Sequence, residues 1–212
     1  MTGEPAAGAR AFPRILVLFA HPAYHASRAQ RALVEAARGL AGVTFHDLYE
    51  AYPDYDVDVP AEQARLLAHD LYVLQHPFYW YSVPPLLKQW IDLVLQHGWA
   101  YGRDGRAIRG RGWMHAISTG GREASYRGEG FHRRTIADFL APLEATARLC
   151  GCDWLPPFVL HGTHAATPDQ LRARGLDWRR TLEALRDGAL DLDAVRAGDR
   201  TDVAVLPGAP AD

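Results

Sequence analysis

Runs of consecutive apolar residues along the chain predict strands that are buried on both faces of a sheet. The predicted strands span 14–19, 43–47, 71–74, 113–118 and 158–160. Between them lie segments whose apolar residues recur at helical spacing, which predicts helices at 28–40, 61–69, 86–97, 135–149 and 168–186. This alternation predicts an α/β fold, a doubly wound five-stranded parallel sheet with helices on both faces.

The predicted elements belong to a single domain over 14–186, a length that one hydrophobic core can serve. Residues 1–13 are predicted to be flexible, and the tail over 187–212, rich in Ala, Gly, Asp and Pro, to be loosely ordered. The stretches 48–60, 76–85 and 98–112 are predicted to be loops, because prolines, glycines and polar residues interrupt the apolar periodicity there.

Composition and charge narrow the range of partners. The chain has 212 residues, of which 48% are hydrophobic, and a formal net charge of -2 at pH 7. It shows neither a basic excess nor a basic cluster, so neither nucleic acid nor an anionic membrane surface is expected as a partner. No apolar segment approaches the roughly 20 residues of a membrane span, and the start lacks the apolar stretch of a secretory signal. The protein is therefore expected to be cytoplasmic.

The two cysteines, Cys150 and Cys152, are separated by one glycine. A disulfide between such close neighbours would be strained, and two thiols without further ligands make a poor metal site. They are interpreted as small core residues at the end of a helix, and no metal site is predicted.

The loop after the first strand leads directly into a helix. In a parallel sheet the loops that follow the strands meet at one edge, where α/β proteins bind their ligands. Ser27 is predicted to cap the helix, whose unpaired N–H groups suit a phosphate, and His21 and Arg28 could add donors. The alternative is that Ser27 is only a cap and His21 only a turn residue. Because neither a G-x-G-x-x-G nor a Walker A motif occurs, a dinucleotide-type Rossmann fold and phosphoryl transfer are disfavoured.

Four consecutive aromatic residues follow the third strand, namely Phe78, Tyr79, Trp80 and Tyr81. They are predicted to form a stacking wall for a planar ring, with backbone N–H groups facing the edge of that ring. The alternative is a dimer contact or packing on the following helix, and one loop can serve both purposes.

The fourth strand runs into two glycines, Gly120 and Gly121, and a phenol and an imidazole follow at Tyr126 and His132. A backbone without side chains can press against a flat ring, and a tyrosine and a histidine beside it can pass protons. The alternative is that both residues are ordinary loop residues with hydrogen bonds to the backbone.

The three loops, in this order, resemble the flavodoxin-like NAD(P)H:quinone oxidoreductases. The resemblance rests on HPAYHASRAQRAL at 21–33, QHPFYWYSVPPLLKQWID at 75–92, HGWAYG at 97–102 and STGG with the later Tyr and His at 118–132. Within that family the chain is most similar to the bacterial ancillary subunits of glutathione-regulated potassium-efflux systems. The similarity covers roughly 14–186, and the aromatic run followed by PPLLK is its most specific part.

The resemblance implies a bound flavin, FMN with FAD as the alternative, and two-electron hydride transfer from NADH or NADPH to quinones by a ping-pong mechanism. The residues that match cofactor-binding positions are His21, Ser27, Arg28, Ala29, Gln30, Phe78, Tyr79, Trp80, Tyr81, Ser118, Thr119, Gly120 and Gly121. Tyr126 and a protonated His132 match the pair implicated in catalysis, where they would offset negative charge on the reduced flavin.

The resemblance also implies a homodimer, with the aromatic loop and HGWAYG as interface candidates. A rival interpretation is a regulatory subunit of a potassium/proton antiporter, with a structural or sensory flavin and attachment to the inner face of the membrane only through that partner. An azo- or nitro-reductase is a further alternative, since the same reduced flavin can perform that chemistry.

Overall fold

The computed structural model describes residues 10–197, and its centre is a parallel sheet. The strands are β1 (Ile15–Phe19), β2 (Val43–Asp47), β3 (Leu71–Pro77), β4 (Gly112–Ser118), β5 (Asp153–Trp154) and β6 (Phe158–Leu160). They lie in the order β2-β1-β3-β4-β5, and β6 also pairs with β4. Because β5 pairs with the start of β4 and β6 with its end, the two short strands share the fifth position. The predicted five-stranded, doubly wound parallel sheet is confirmed.

Helices cover both faces of this sheet. They are α1 (Arg28–Ala37), α2 (Leu48–Ala51), α3 (Val59–Leu67), α4 (Pro85–Val94), α5 (Ile136–Leu149), α6 (Pro168–Asp187) and α7 (Leu192–Ala197). Helices α1 and α6 pack on one face, and α3, α4 and α5 pack on the other. Each layer has a fully buried tryptophan near its centre, Trp178 on the first face and Trp90 on the second.

The alternation of side chains along the strands divides the core between the two faces. Along β3, Leu71 and Val73 belong to the α1–α6 layer, whereas Tyr72 and Leu74 belong to the opposite layer. All four are fully buried, as expected for a central parallel strand.

The elements depart locally from those predicted at three places. The predicted loop at 48–60 contains α2, because the carboxylate of Asp47 accepts hydrogen bonds from the first backbone N–H groups of that helix. Strand β3 continues to Pro77 instead of ending at Leu74, because its last three residues pair with the end of β4. Helices α1 and α4 each end three residues before their predicted ends, at Ala37 and Val94.

The ordered domain extends further than predicted at both ends. Residues 1–9 lie outside the described residues, but Phe12, within the segment predicted to be flexible, is fully buried, and its N–H donates to the carbonyl of Leu185 at 2.9 Å. In the predicted loose tail, Leu190 and Leu192 are buried and α7 forms, whereas 198–212 lie outside the described residues. Apolar side chains at both ends pack on the α1–α6 layer, and this packing orders the two segments.

Cys150 and Cys152 are both free and buried, and Cys150 caps the end of α5. Their predicted role as small core residues at a helix end is confirmed. Burial raises the pKa of the Cys150 thiol to about 11, so it is protonated and unreactive at neutral pH.

Candidate functional site

The loops after β1, β3 and β4 meet at the carboxyl edge of the sheet, as the parallel arrangement requires. Backbone hydrogen bonds tie each loop to its neighbour: Ala20 N–H donates to Gln75 O at 3.0 Å, and Phe78 N–H donates to Ser118 O at 2.9 Å. We call this meeting point of the three loops the candidate site.

The first loop ends in a helix N-terminus with free donors. The Oγ of Ser27 accepts a hydrogen bond from the N–H of Gln30 at 3.2 Å, which confirms the predicted cap. Among the described residues, the N–H groups of Arg28 and Ala29 have no hydrogen-bond partner. Such orphan donors, together with the positive end of the helix dipole, form an anion-binding site.

His21 begins the same loop and has a defined tautomer. It is 5% exposed, and burial lowers the pKa of its ring, which is therefore neutral at pH 7. Its Nδ1 accepts a hydrogen bond from the N–H of Ala23 at 3.0 Å. The ring proton therefore lies on Nε2, which remains available as a donor.

The side chains of Gln30 and Ser118 have a positioning role that the sequence did not reveal. Gln30 is fully buried, its Nε2 donates to the Oγ of Ser118 at 2.9 Å, and its Oε1 accepts from the Nε2 of Gln75 at 3.0 Å. These hydrogen bonds connect the first turn of α1 to β3 and to the end of β4. Both side chains point into the core, so at these two positions the backbone is what a ligand can reach.

The four aromatic residues of the second loop do not form one wall. The ring of Tyr81 stacks on Phe139 at 4.8 Å, and Phe78 packs edge-on against Tyr126 at 6.2 Å. Tyr79 contacts His21 edge-on at 5.7 Å.

Trp80 differs from its neighbours because it is 93% exposed. It has φ of 48° and Tyr81 has φ of 65°, so the loop turns sharply here. Among the described residues, the backbone N–H groups of Trp80 and Tyr81 have no hydrogen-bond partner. Free backbone N–H groups are therefore present in this loop, as predicted. The four rings, however, do not form the single stacking wall that was predicted.

Positions 120 and 121 are crowded by neighbouring side chains. A Cβ on Gly121 would lie 3.1 Å from a ring carbon of Tyr126 and 3.5 Å from Nε2 of His132. A Cβ on Gly120 would lie 2.2 Å from Nε2 of His164. Neither glycine has a left-handed φ, so the crowding, not the backbone conformation, favours glycine here.

The structure brings Tyr126 and His132 together. Their rings stack with centroids 4.5 Å apart, and Tyr81 Oη lies 3.3 Å from Nδ1 of His132. When Tyr81 donates this bond, Nε2 of His132 carries the ring proton on the side of Gly121. Burial raises the pKa of Tyr126, which keeps its phenol protonated and able to donate.

A fourth segment, 161–166 after β6, completes the site and was not predicted. Thr119 Oγ1 donates to Gly121 O at 2.9 Å, so His161 Nδ1, at 3.2 Å, must donate to Thr119 Oγ1. Thr163 N–H donates to Thr119 O at 3.0 Å, while Arg28 reaches Thr163 O at 3.4 Å. The signal for this segment was present, since a His-Gly-Thr-His run follows directly on a predicted strand.

The donors around the site fit the FMN that the resemblance implies. Unpaired N–H groups occur at the start of α1 and in the second loop, and those of Gly120 and Gly121 are also without partners among the described residues. The first set suits a phosphate, and the other two sets suit the polar edge of a flat ring.

A chain of buried side chains runs from the sheet to the second loop. The indole N–H of Trp113 donates to Nε2 of His115 at 3.1 Å, so Nδ1 of His115 donates to Nε2 of His76 at 3.0 Å. Nδ1 of His76 then donates to the carbonyl of Pro77 at 3.0 Å, which also accepts from Tyr79 N–H. Every polar atom in the chain is satisfied only when both imidazoles are neutral.

We expect these histidines to make stability depend on pH. Burial lowers the pKa of His76 to about 4, against 6.5 in the unfolded chain, and also lowers the pKa of His115 well below its ordinary value. Between pH 4 and pH 6.5 the unfolded chain binds more protons than the folded chain. The stabilisation by these neutral histidines is therefore complete above pH 6.5 and is lost as the pH drops toward 4. For His76 alone the loss between pH 7 and pH 5 is about 2 kcal/mol.

Urea unfolding of the protein at pH 7 and pH 5 measures this loss. His76→Asn should lessen the pH dependence, whereas the same change at the exposed His25 should leave it unaltered. Equal unfolding free energies for the unmodified protein at the two pH values would contradict the expectation.

Comparison with known proteins agrees with this fold. Residues 13–182 match a protein family described as having a flavodoxin-like fold. The glutathione-regulated potassium-efflux system ancillary protein KefF of Klebsiella aerogenes is 46% identical over 168 residues, or 79% of this chain and 94% of that protein. The chain belongs to this family of flavodoxin-like proteins, as the sequence motifs predicted.

Two solved structures are also similar. General stress protein 14 of Treponema denticola, solved in complex with FMN, is 40% identical with a TM-score of 0.78, covering 82% of this chain and 99% of its own. An NADPH-quinone reductase from P. pentosaceus is 30% identical with a TM-score of 0.72, covering 79% of this chain and 96% of its own. Within residues 10–197, none of the helices has the length and apolar character that crossing a bilayer requires.

Proposed function

We propose that this protein binds FMN and acts as an NAD(P)H:quinone oxidoreductase, transferring a hydride from NADH or NADPH to quinones in a ping-pong cycle. The observation that carries the proposal is the placement of Tyr126 and His132 against Gly121, beside three groups of unpaired backbone N–H donors. The FMN held by the Treponema denticola relative and the name of the P. pentosaceus enzyme support the cofactor and the reaction.

The phosphate of FMN would be held at the start of α1. The N–H groups of Arg28 and Ala29 are free there, and Nε2 of His21 is a third donor. The polar edge of the flat ring would lie toward the backbone N–H groups of Gly120 and Gly121, which have no partner among the described residues.

When bound, the flavin supplies a centre that accepts a hydride and later donates it. The side chains of this chain then manage charge and protons. Tyr126 Oη and His132 Nε2 both face Gly121, where they can donate hydrogen bonds to negative charge that develops on reduction. A quinone becomes a quinol by gaining one hydride and one proton, and either of these groups is placed to deliver the proton.

Tyr126→Phe and His132→Gln should each slow quinone reduction by up to about a hundredfold, the lower end of what a positioned proton donor contributes, because the other group can still deliver the proton. FMN should stay bound, since neither side chain is part of the helix N-terminus that would hold the phosphate. Steady-state rates with NADPH and a quinone measure the effect, and the flavin absorbance of each variant is the control. Unchanged rates in both variants would remove these residues from the mechanism.

We propose further that the protein is a homodimer whose second subunit covers the rim of the site. Trp80 is 93% exposed and Phe131 is 86% exposed, and Phe131 contacts His132 at the opening of the site. Large apolar rings left in water on a site rim mark a contact surface. Sedimentation should show a dimer, and Trp80→Ser should weaken it. A monomer at working concentration would contradict this proposal.

A regulatory role is the second candidate, favoured by the 46% identity to an efflux-system ancillary protein. In this role the protein would bind a potassium/proton antiporter at the inner face of the membrane. Purification of the two proteins together from a host that expresses both is the test. Retention of this chain by a tagged antiporter would support the role, and its absence from the purified antiporter would count against it.

A further inference from the structure

A cavity of about 430 Å³ lies at the amino-terminal edge of the sheet, opposite the candidate site. Its wall includes Arg14, Asp70 and Arg111, the residues that directly precede β1, β3 and β4. Arg10 and Arg109 line it as well. Strand β4 has seven residues, so about 20 Å separates the two edges of the sheet. The cavity is therefore distinct from the proposed flavin site.

The charge of this cavity is strongly positive. Its charged lining consists of four guanidinium groups and one carboxylate, a net of +3, in a chain whose formal net charge is -2. The expectation of no basic cluster was therefore wrong. The arginines come from two segments about one hundred residues apart, at 10–14 and 109–111, and only the fold brings them together.

Asp70 holds two of the arginines in fixed orientations. Nε and one terminal nitrogen of Arg14 donate to its two oxygens at 2.9 and 2.7 Å, and Arg111 donates to it at 2.5 Å. The hydrogen bond from Arg14 lowers the pKa of Asp70, so the carboxylate is ionised at neutral pH. Each guanidinium has five N–H donors, and most of those of Arg14 and Arg111 remain free for a ligand.

Arg10 is held by a different set of contacts. It donates to Asp153 at 3.3 Å and to the carbonyl of Gly110, and it lies over the ring of Phe12 at 4.8 Å. Arg109 is exposed, and its side chain has no hydrogen-bond or ion-pair partner among the described residues. The cavity thus combines three oriented guanidinium groups with one free one, an arrangement that lowers the entropic cost of binding an anion.

We propose that this cavity binds a small phosphorylated anion carrying two or three negative charges. Its volume lies within the range of small-molecule sites, but guanidinium groups dominate its wall, so an apolar ligand is disfavoured. Guanidinium forks bind phosphate oxygens in pairs, and donors on several sides suit tetrahedral phosphoryl groups better than one planar carboxylate. The proposal is independent of the flavin site.

Titration calorimetry of the full chain with inorganic pyrophosphate at low ionic strength tests the proposal. We expect one pyrophosphate per chain, bound more tightly than citrate. Arg109→Ala should weaken binding about tenfold, the effect of losing a charge-assisted bond. Arg103→Ala is the matched control, because Arg103 is an exposed arginine of the same connection that does not line the cavity.

Three outcomes would overturn the proposal. The first is no measurable binding of pyrophosphate, and the second is tighter binding of citrate, which would indicate a carboxylate ligand. The third is an equal loss of affinity in Arg103→Ala and Arg109→Ala, which would show that overall charge attracts the anion without a specific site.

Discussion

Gly121→Val is expected to lower the affinity for FMN by about a hundredfold or more while the protein remains folded. The first added carbon would lie 3.1 Å from the ring of Tyr126 and 3.5 Å from Nε2 of His132, so valine would displace both side chains. The polar edge of the flat ring would lie beside these two side chains. A hundredfold loss corresponds to about 2.7 kcal/mol, a cost typical of overpacking at a tight contact.

Gly128→Val is the matched control, because a Cβ there meets no atom within 4 Å and the residue lies in the same loop region. Fluorescence titration of flavin-free protein with FMN measures both variants, and circular dichroism reports whether they fold. Tight FMN binding by Gly121→Val would show that the ring lies elsewhere.

Glu62→Leu is expected to have the largest effect on stability, a loss of about 3–5 kcal/mol of unfolding free energy. Glu62 is fully buried, and its carboxylate accepts hydrogen bonds from Trp90 Nε1 at 2.8 Å, Tyr52 Oη at 2.8 Å and Arg65 Nε at 3.3 Å. His46 Nε2 lies 2.9 Å away. Leucine accepts none of these bonds, so several donors would be left buried without partners.

The pKa of Glu62 agrees with this interpretation. Burial alone would raise it, but the hydrogen bonds from His46, Trp90 and Tyr52 lower it to about 2. The carboxylate is therefore ionised above pH 4.5 in both folded and unfolded chains, and its stabilising contribution is lost as the pH falls toward 2.

Urea unfolding at pH 7 measures the Glu62 effect. Glu62→Gln keeps one acceptor and should cost less than Glu62→Leu, and Glu144→Leu, which removes a partly exposed pair with Arg148, should cost less than about 1 kcal/mol. Equal costs at positions 62 and 144 would contradict the role of Glu62 as a buried hub of hydrogen bonds.

The layered fold could be predicted from the sequence because parallel strands buried on both faces are apolar throughout. Ile15–Phe19 has that pattern throughout, and Gly112–Ser118 has it except at His115 and Ser118; both are central strands. Helix α2 and strand β5 could not be predicted in this way. Helix α2 depends on a single capping carboxylate at Asp47, and strand β5 has only two residues.

The candidate site was predicted in its location but not in the direction of its side chains. The order of the loops predicted that Gly121, Tyr126 and His132 lie together, as they do. The exposure of Trp80 and the burial of Gln30 could not be predicted, because they depend on contacts that only the folded chain makes. The arginines around Asp70 were missed for the same reason, since no local window of sequence contains them all.

We expect the purified protein to carry a flavin that cycles between NADPH and a quinone. The most direct measurement is the visible absorption spectrum of the purified protein, taken before and after adding NADPH and again after adding a quinone. The expected result is a flavin spectrum that bleaches with NADPH and recovers with the quinone. A colourless protein that neither FMN nor FAD can reconstitute would contradict it.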